Sequence, residues 1–140
     1  MAAEPVRASV FVEAQPSEVY EYFTTAEAMV RWMGQHARLD PRPGGEFAVD
    51  IDGYPARGRF VELDPPRRVL FTWGFAGLDD LPPGSSSVEV TLSPTGTGTL
   101  VELVHHGLPD ARAKTHSARW SEYLDALART TAAADPGPTG

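Results

Sequence analysis

The sequence predicts an α+β domain, an antiparallel sheet of short strands covered on its apolar face by one long C-terminal helix. Residues 17–33 and 110–135 contain neither Gly nor Pro, whereas almost everything between them is cut by these residues every eight to twelve positions. That spacing is the mark of strands joined by turns. Several of the cut segments alternate apolar and polar residues, the period of a half-buried strand. Hairpin-connected strands need a cover on their apolar face, and only the C-terminal segment is long enough to supply it.

Val6 to Glu13, rich in Val and Phe, reads as a first strand. Pro16 suits the first position of a helix, where its missing N–H costs nothing, and Val19, Tyr20, Tyr22 and Phe23 give that helix an apolar side. Thr24 and Glu27 have capping-box spacing. They predict a second short helix carrying Met29, Val30, Trp32 and Met33 and ending at Gly34. After the turn Pro41-Arg42-Pro43-Gly44-Gly45, the residues Phe47, Val49 and Ile51 mark a strand. Asp52-Gly53 is a two-residue hairpin signal, followed by a strand over about Ala56–Leu63. Asp64-Pro65-Pro66-Arg67 turns the chain into a strand with Val69, Phe71, Trp73 and Phe75 on one face. Ala76 to Ser86 reads as a flexible loop. Val88, Val90 and Leu92 mark the next strand, Pro94 to Gly98 a hairpin, and Thr99 to His106 the last strand, with Val101, Leu103 and His105 on one side. Asp110 is placed as the N-cap of the long helix. Its stripe is Trp120, Tyr123, Leu124 and Leu127, at i, i+3, i+4 and i+7.

A chain of 140 residues fits one domain, here taken as residues 1–140 with an ordered core over about 6–131 and a small, Pro/Gly-rich tail over 132–140. With 41% hydrophobic and 22% charged residues the composition argues against disorder. Cysteine is absent, which excludes disulfides, thiolate metal sites and a cysteine nucleophile and fits a cytoplasmic location. There is no Asn and only one Lys and one Ile, a bias that GC-rich bacterial genes produce. The net charge of −7 speaks against nucleic acid as a partner, because Arg57, Arg59, Arg67 and Arg68 are scattered by turns rather than gathered. No stretch approaches the 18 apolar residues of a membrane span, and Met1 to Pro5 has no signal-peptide character.

The order of elements, with particular residues, resembles the START-like "helix-grip" superfamily. Within it the chain resembles the homologues of the activator of heat-shock-protein-90 ATPase. The matching residues are Ala14-Gln15-Pro16 with Val19, Arg31-Trp32, Gly44-Gly45-Glu46-Phe47, Gly58, and Asp64-Pro65-Pro66-Arg67 leading into Phe71-Thr72-Trp73. They continue with Gly98-Thr99, His105-His106-Gly107-Leu108, and Trp120 with Leu124 and Leu127. Met33 stands where members often have a second tryptophan, and Arg119 where they often have Gly. The resemblance implies a curved sheet gripping the long helix, with an apolar or aromatic small molecule between them. Some branches, the polyketide cyclases and aromatases, use that space for chemistry. The eukaryotic activator engages its chaperone through an additional N-terminal domain, for which this chain has no room.

His105 and His106 are neighbours on a strand and point to opposite faces, so they do not chelate one metal together. No spacing suggests a metal site or a cofactor motif. His105 shares the face of Val101 and Leu103; its ordinary role there is a hydrogen-bonded structural histidine, its functional one a ligand donor or general base. His116 lies four residues before Trp120 on the same helix face and reaches either the cavity or water, with water the favoured side. Glu62 is placed at a solvated edge. Three readings result. The leading one is a non-catalytic binder of a small apolar or aromatic ligand, held by Trp32, Phe47, Phe71, Trp73, Leu103, His105, His116, Trp120 and Tyr123. An enclosed cavity of roughly 300 Å³ or more would mark it. The second is a cyclase-like enzyme using an inward histidine. The third is a protein-interaction module, chaperone-linked or otherwise, marked by a contiguous exposed apolar patch. The sequence leaves the oligomeric state open, a homodimer being one arrangement it permits.

Overall fold

The computed structural model describes residues 4–134. The chain runs β1 (Val6–Val12), α1 (Pro16–Thr24), α2 (Ala26–Met29), β2 (His36–Leu39), β3 (Glu46–Ile51), β4 (Tyr54–Asp64), β5 (Arg68–Trp73), β6 (Ser86–Thr95), β7 (Gly98–His106) and α3 (Asp110–Ala134). The seven strands form one antiparallel sheet in the order β1-β7-β6-β5-β4-β3-β2. Successive hairpins lay down β2 to β7 side by side, and the first strand closes the row beside the last. The sheet is curved, and α3 lies across its apolar face, nearest β1. This is the α+β helix-grip arrangement.

The period-2 expectation holds on β5, β6 and β7, whereas β3 buries Phe47, Ala48 and Val49 in succession and β4 carries a bulge between Phe60 and Glu62. Val69, Phe71 and Trp73 on β5, Val88, Val90 and Leu92 on β6, and Val101, Leu103 and His105 on β7 are all buried. On α3, Trp120, Leu124 and Leu127 are buried as the 3.6 period requires. Asp52 and Gly53 both have positive φ, 49° and 86°, the two left-handed residues of a type I′ hairpin turn. That turn brings Ile51 and Tyr54, on either side of it, to the tip of the β3–β4 hairpin.

Five details differ from expectation. The short strand β2 was not foreseen: its four residues, His-Ala-Arg-Leu, sit at the sheet edge, and two of the four are exposed. The cap of the second helix is Thr25, whose hydroxyl accepts from the Ala28 N–H, whereas the Thr24 hydroxyl donates back to the Tyr20 carbonyl inside α1. That helix closes at Met29, so Trp32 and Met33 are buried from turns rather than from a helix face. Asp110 is already helical, and the Pro109 carbonyl accepts the first α3 hydrogen bonds, from Arg112 and Ala113. The loop after β5 is pinned by Leu81, which is fully buried and accepts from the Phe75 N–H. The expected tail lies, from residue 135 on, outside the described residues, and α3 runs to Ala134. No helix among the described residues is long and apolar enough to cross a membrane.

Candidate functional site

Where the N-terminal half of α3 crosses the end of β5 and the β3–β4 hairpin tip, packing is incomplete and a cavity of about 140 Å³ remains. Its sheet wall is Trp73 and Phe75, its hairpin wall Ile51 and Tyr54, and its helix wall His116, Trp120 and Tyr123. Arg112, Thr115 and Arg119 stand at its edge on the same helix. The helix residues recur at three- and four-residue steps from Arg112 to Tyr123, which puts them on one face.

The aromatic wall is tilted rather than stacked. Trp73 meets Trp120 at 5.3 Å and Phe75 edge-on at 5.7 Å, and His116 lies 6.0 Å from Phe75 and 5.5 Å from His105. Such edge-and-face arrangements suit aromatic quadrupoles.

Behind this wall runs a hydrogen-bonded chain. The Trp120 indole Nε1–H donates to His105 Nδ1 at 2.9 Å. An indole nitrogen only donates, so Nδ1 is unprotonated and the His105 proton sits on Nε2. That nitrogen lies 2.8 Å from Ser86 Oγ and donates to it, and the Ser86 hydroxyl donates to the Trp73 carbonyl at 2.8 Å. His105 is fully buried. Burial first, then the neighbouring His116 and His106, push its pKa down to about 3. It is therefore a neutral histidine with both nitrogens committed, the structural role weighed in the sequence.

His116 is buried as well, on the cavity side rather than in water. Its Nδ1 donates to the Arg112 carbonyl at 3.1 Å, which leaves Nε2 as a bare acceptor. Burial, then the nearby Arg112 and Arg119, lower its pKa, against the raising effect of that backbone bond. Burial raises the Tyr123 pKa, opposed by the adjacent Arg119.

The three tryptophans differ in one respect. Trp32 donates its N–H to the Tyr22 carbonyl at 2.9 Å and Trp120 to His105, but the buried Trp73 Nε1–H has no partner. A buried donor without a partner is costly and calls for an explanation.

Of the nine predicted site residues the structure brings Trp73, His116, Trp120 and Tyr123 together around the cavity. It places the other five elsewhere. Trp32 packs edge-on against Phe23 beneath the short helices. Phe47 stacks on Phe71 at 4.0 Å, with Phe60 edge-on to both, and Leu103 is buried in the same core. His105 stands one hydrogen bond behind the wall. The cavity is partly open to solvent and about half the volume of the enclosed one expected, and the rings of Phe47, Phe60 and Phe71 pack on one another rather than line it. Sequence reasoning missed Ile51, Tyr54, Phe75, Arg112, Thr115 and Arg119. Extending the Trp120 stripe two turns towards the N-terminus finds the four helix residues not counted as apolar: Arg119, His116, Thr115 and Arg112. Among the described residues no three His, Asp or Glu side chains gather as metal ligands.

Comparison with known proteins sets this geometry in a family. Residues 13–132 match the family model described as activator of Hsp90 ATPase homolog 1-like protein. No curated protein matches the chain. Among solved structures, the AHSA1-like protein of Rhizobium etli is 39% identical, with a TM-score of 0.76 over 99% of this chain and 87% of its own. CalU16 of Micromonospora echinospora is 31% identical, with a TM-score of 0.70 over 89% and 73%. DynU16, encoded in the dynemicin biosynthetic locus, is 27% identical, with a TM-score of 0.78 over 91% of this chain and 46% of that longer one. The chain thus belongs to the activator of Hsp90 ATPase homolog 1-like family, within the START-like superfamily.

Proposed function

We propose that the protein binds a small, mostly apolar molecule about one aromatic ring in size, in the cavity between Trp73, Phe75, His116, Trp120 and Tyr123. The observation that carries this reading is the unfilled volume itself, about 140 Å³ walled by aromatic rings from both the sheet and α3. The volume agrees, since an apolar cavity of about 150 Å³ is enough to hold benzene. A relative encoded in a biosynthetic locus is in keeping with small-molecule handling.

A proton-transfer role for His105 does not fit its geometry, because its Nδ1 lone pair is taken by Trp120 and its Nε2 proton by Ser86. Among the described residues the large exposed apolar side chains form no contiguous patch of the kind an interaction module would show. The exposed large apolar residues Phe11, Val30, Tyr54 and Val61 lie apart, on β1, after α2 and near opposite ends of β4.

The test is a titration of ¹⁵N-labelled protein with p-cresol, following the three indole N–H resonances. Binding in the cavity shifts Trp73 most and leaves Trp32, which is bonded elsewhere, in place. Three resonances that stay still, or that drift together, overturn the assignment.

A further inference from the structure

We propose that the cavity selects a ring carrying a hydrogen-bond donor, a hydroxyl or a ring N–H, and that His116 Nε2 accepts from it. This rests on the binding reading above and adds to it the polar group that the ligand must bear.

The wall has few polar atoms left to offer. Trp120 gives its N–H to His105, and the Trp73 N–H is sealed within the wall. Arg112 is held by both oxygens of Asp80, at 2.7 and 3.0 Å. Arg119 is paired with Asp52 at 3.8 Å and bonded to the Tyr123 hydroxyl. Thr115 and Tyr54 are exposed, so their hydroxyls are open to water. His116 is the exception. It is buried, yet among the described residues its Nε2 has no partner, and unlike the Trp73 nitrogen that atom is not sealed off.

The orientation of the ring explains why. In an imidazole Nδ1 lies beside the stem and Nε2 at the tip. With Nδ1–H turned back onto the Arg112 carbonyl of its own helix, at 3.1 Å, the tip points off the helix. Its ring neighbours are Phe75, 6.0 Å away between centroids, and His105, at 5.5 Å. Phe75 has no side-chain donor, and the single His105 N–H is spent on Ser86. The protein therefore leaves an acceptor in a cavity-lining residue with no donor of its own to meet it. A ring that covers this nitrogen without a donor strands it at a cost, whereas a hydroxyl or N–H satisfies it.

The experiment compares p-cresol with p-xylene, in which a methyl group replaces the hydroxyl at nearly the same size, by calorimetry on the natural protein and on His116→Phe. The ratio of p-cresol to p-xylene affinity is expected to fall about tenfold in the variant, because only p-cresol loses a partner. A ratio that stays the same overturns the proposal and leaves the cavity reading standing. A second measurement needs no variant and decides the matter should His116→Phe fail to fold. In natural protein labelled with ¹⁵N at histidine, p-cresol should move the His116 Nε2 resonance, and p-xylene should leave it near its free position. Movement by both ligands alike, or by neither although both bind, overturns the assignment. If neither ligand binds the natural protein, the cavity reading falls, and this proposal with it.

Discussion

The interface between sheet and α3 has two ends, built from the same kinds of side chain and finished differently. At one end Phe47, Phe60 and Phe71 interlock, and in the core beneath the short helices the Trp32 indole is satisfied by a backbone carbonyl. At the other, Trp73, Phe75 and Trp120 meet at angles that leave about 140 Å³ unfilled and one indole N–H unpaired. Aromatic content therefore does not distinguish a core from a site. The state of the polar atoms does. The largest expected effect tests the filled end: Phe71→Ala should cost about 3–5 kcal/mol in urea unfolding, because a close-packed ring leaves a cavity behind it. The same truncation at Phe75 should cost clearly less, since that ring already borders empty space and has fewer partner atoms to lose. Equal losses would mean that the two ends are packed alike.

The open end also predicts how stability responds to acid. His105 has an unfolded pKa near 6.5 and a folded one of about 3. Above 6.5 both states hold it neutral, and its burial has no pH dependence. Below 6.5 the unfolded chain takes a proton that the folded one refuses, so stability falls with falling pH, by up to about 1.4 kcal/mol per pH unit for one group. His116, lowered in the same direction, adds to the slope. Between pH 6.5 and 5 most carboxylates stay ionised, which isolates the histidines. Urea unfolding across that window should therefore show a marked fall, made shallower by about one proton's worth in His105→Gln. An unchanged slope in the variant would remove His105 as its source.

Much of the fold was legible because it rests on local rules. Turn residues cut the strands, β5 to β7 alternate cleanly, and the Asp52-Gly53 pair demands a type I′ turn. The strand that escaped, β2, has only four residues and takes its pairing from β3 rather than from any pattern of its own. The site was legible by face but not by depth. Periodicity placed Phe71 and Trp73 on the same side of β5, correctly, yet it carries no information on which of them has a neighbour stacked upon it. That depends on Phe47 arriving from β3 and on the Trp120 indole turning away to His105. Arg112, Thr115 and Arg119 escaped because a search for apolar lining passes over polar residues that share the helix face.

A smaller effect belongs to the hairpin that closes the open end. Gly53 has φ +86°, and a Cβ there meets nothing within 4 Å. Gly53→Val therefore acts through backbone strain alone and should cost about 1–2 kcal/mol, the penalty for an L residue held left-handed. Because Ile51 and Tyr54 flank the turn, the variant should also disturb the Trp73 and Trp120 indole resonances while leaving Trp32 unmoved. A thermal midpoint equal to that of the natural protein would show that the tip relaxes into another turn, and that the hairpin wall of the cavity is not fixed by it.

The smallest expected change in stability is the sharpest test of the difference between the ends. Thr115 is exposed on α3 and stands at the edge of the cavity. Thr and Trp have similar helix propensities, and the added indole has vacant volume to enter, so Thr115→Trp should shift stability by no more than about 0.5 kcal/mol. At the filled end the same kind of enlargement has nowhere to go: Leu103→Trp, in the closed core, should cost about 1–3 kcal/mol through overpacking. Binding separates the two variants in the opposite sense. Thr115→Trp should abolish the p-cresol shift of the Trp73 indole, whereas Leu103→Trp, destabilised but still folded under native conditions, should retain it. If Thr115→Trp binds p-cresol as the natural protein does, the vacant volume at the α3 edge is not where the ligand sits. The contrast between a filled and an open end would then be one of packing alone.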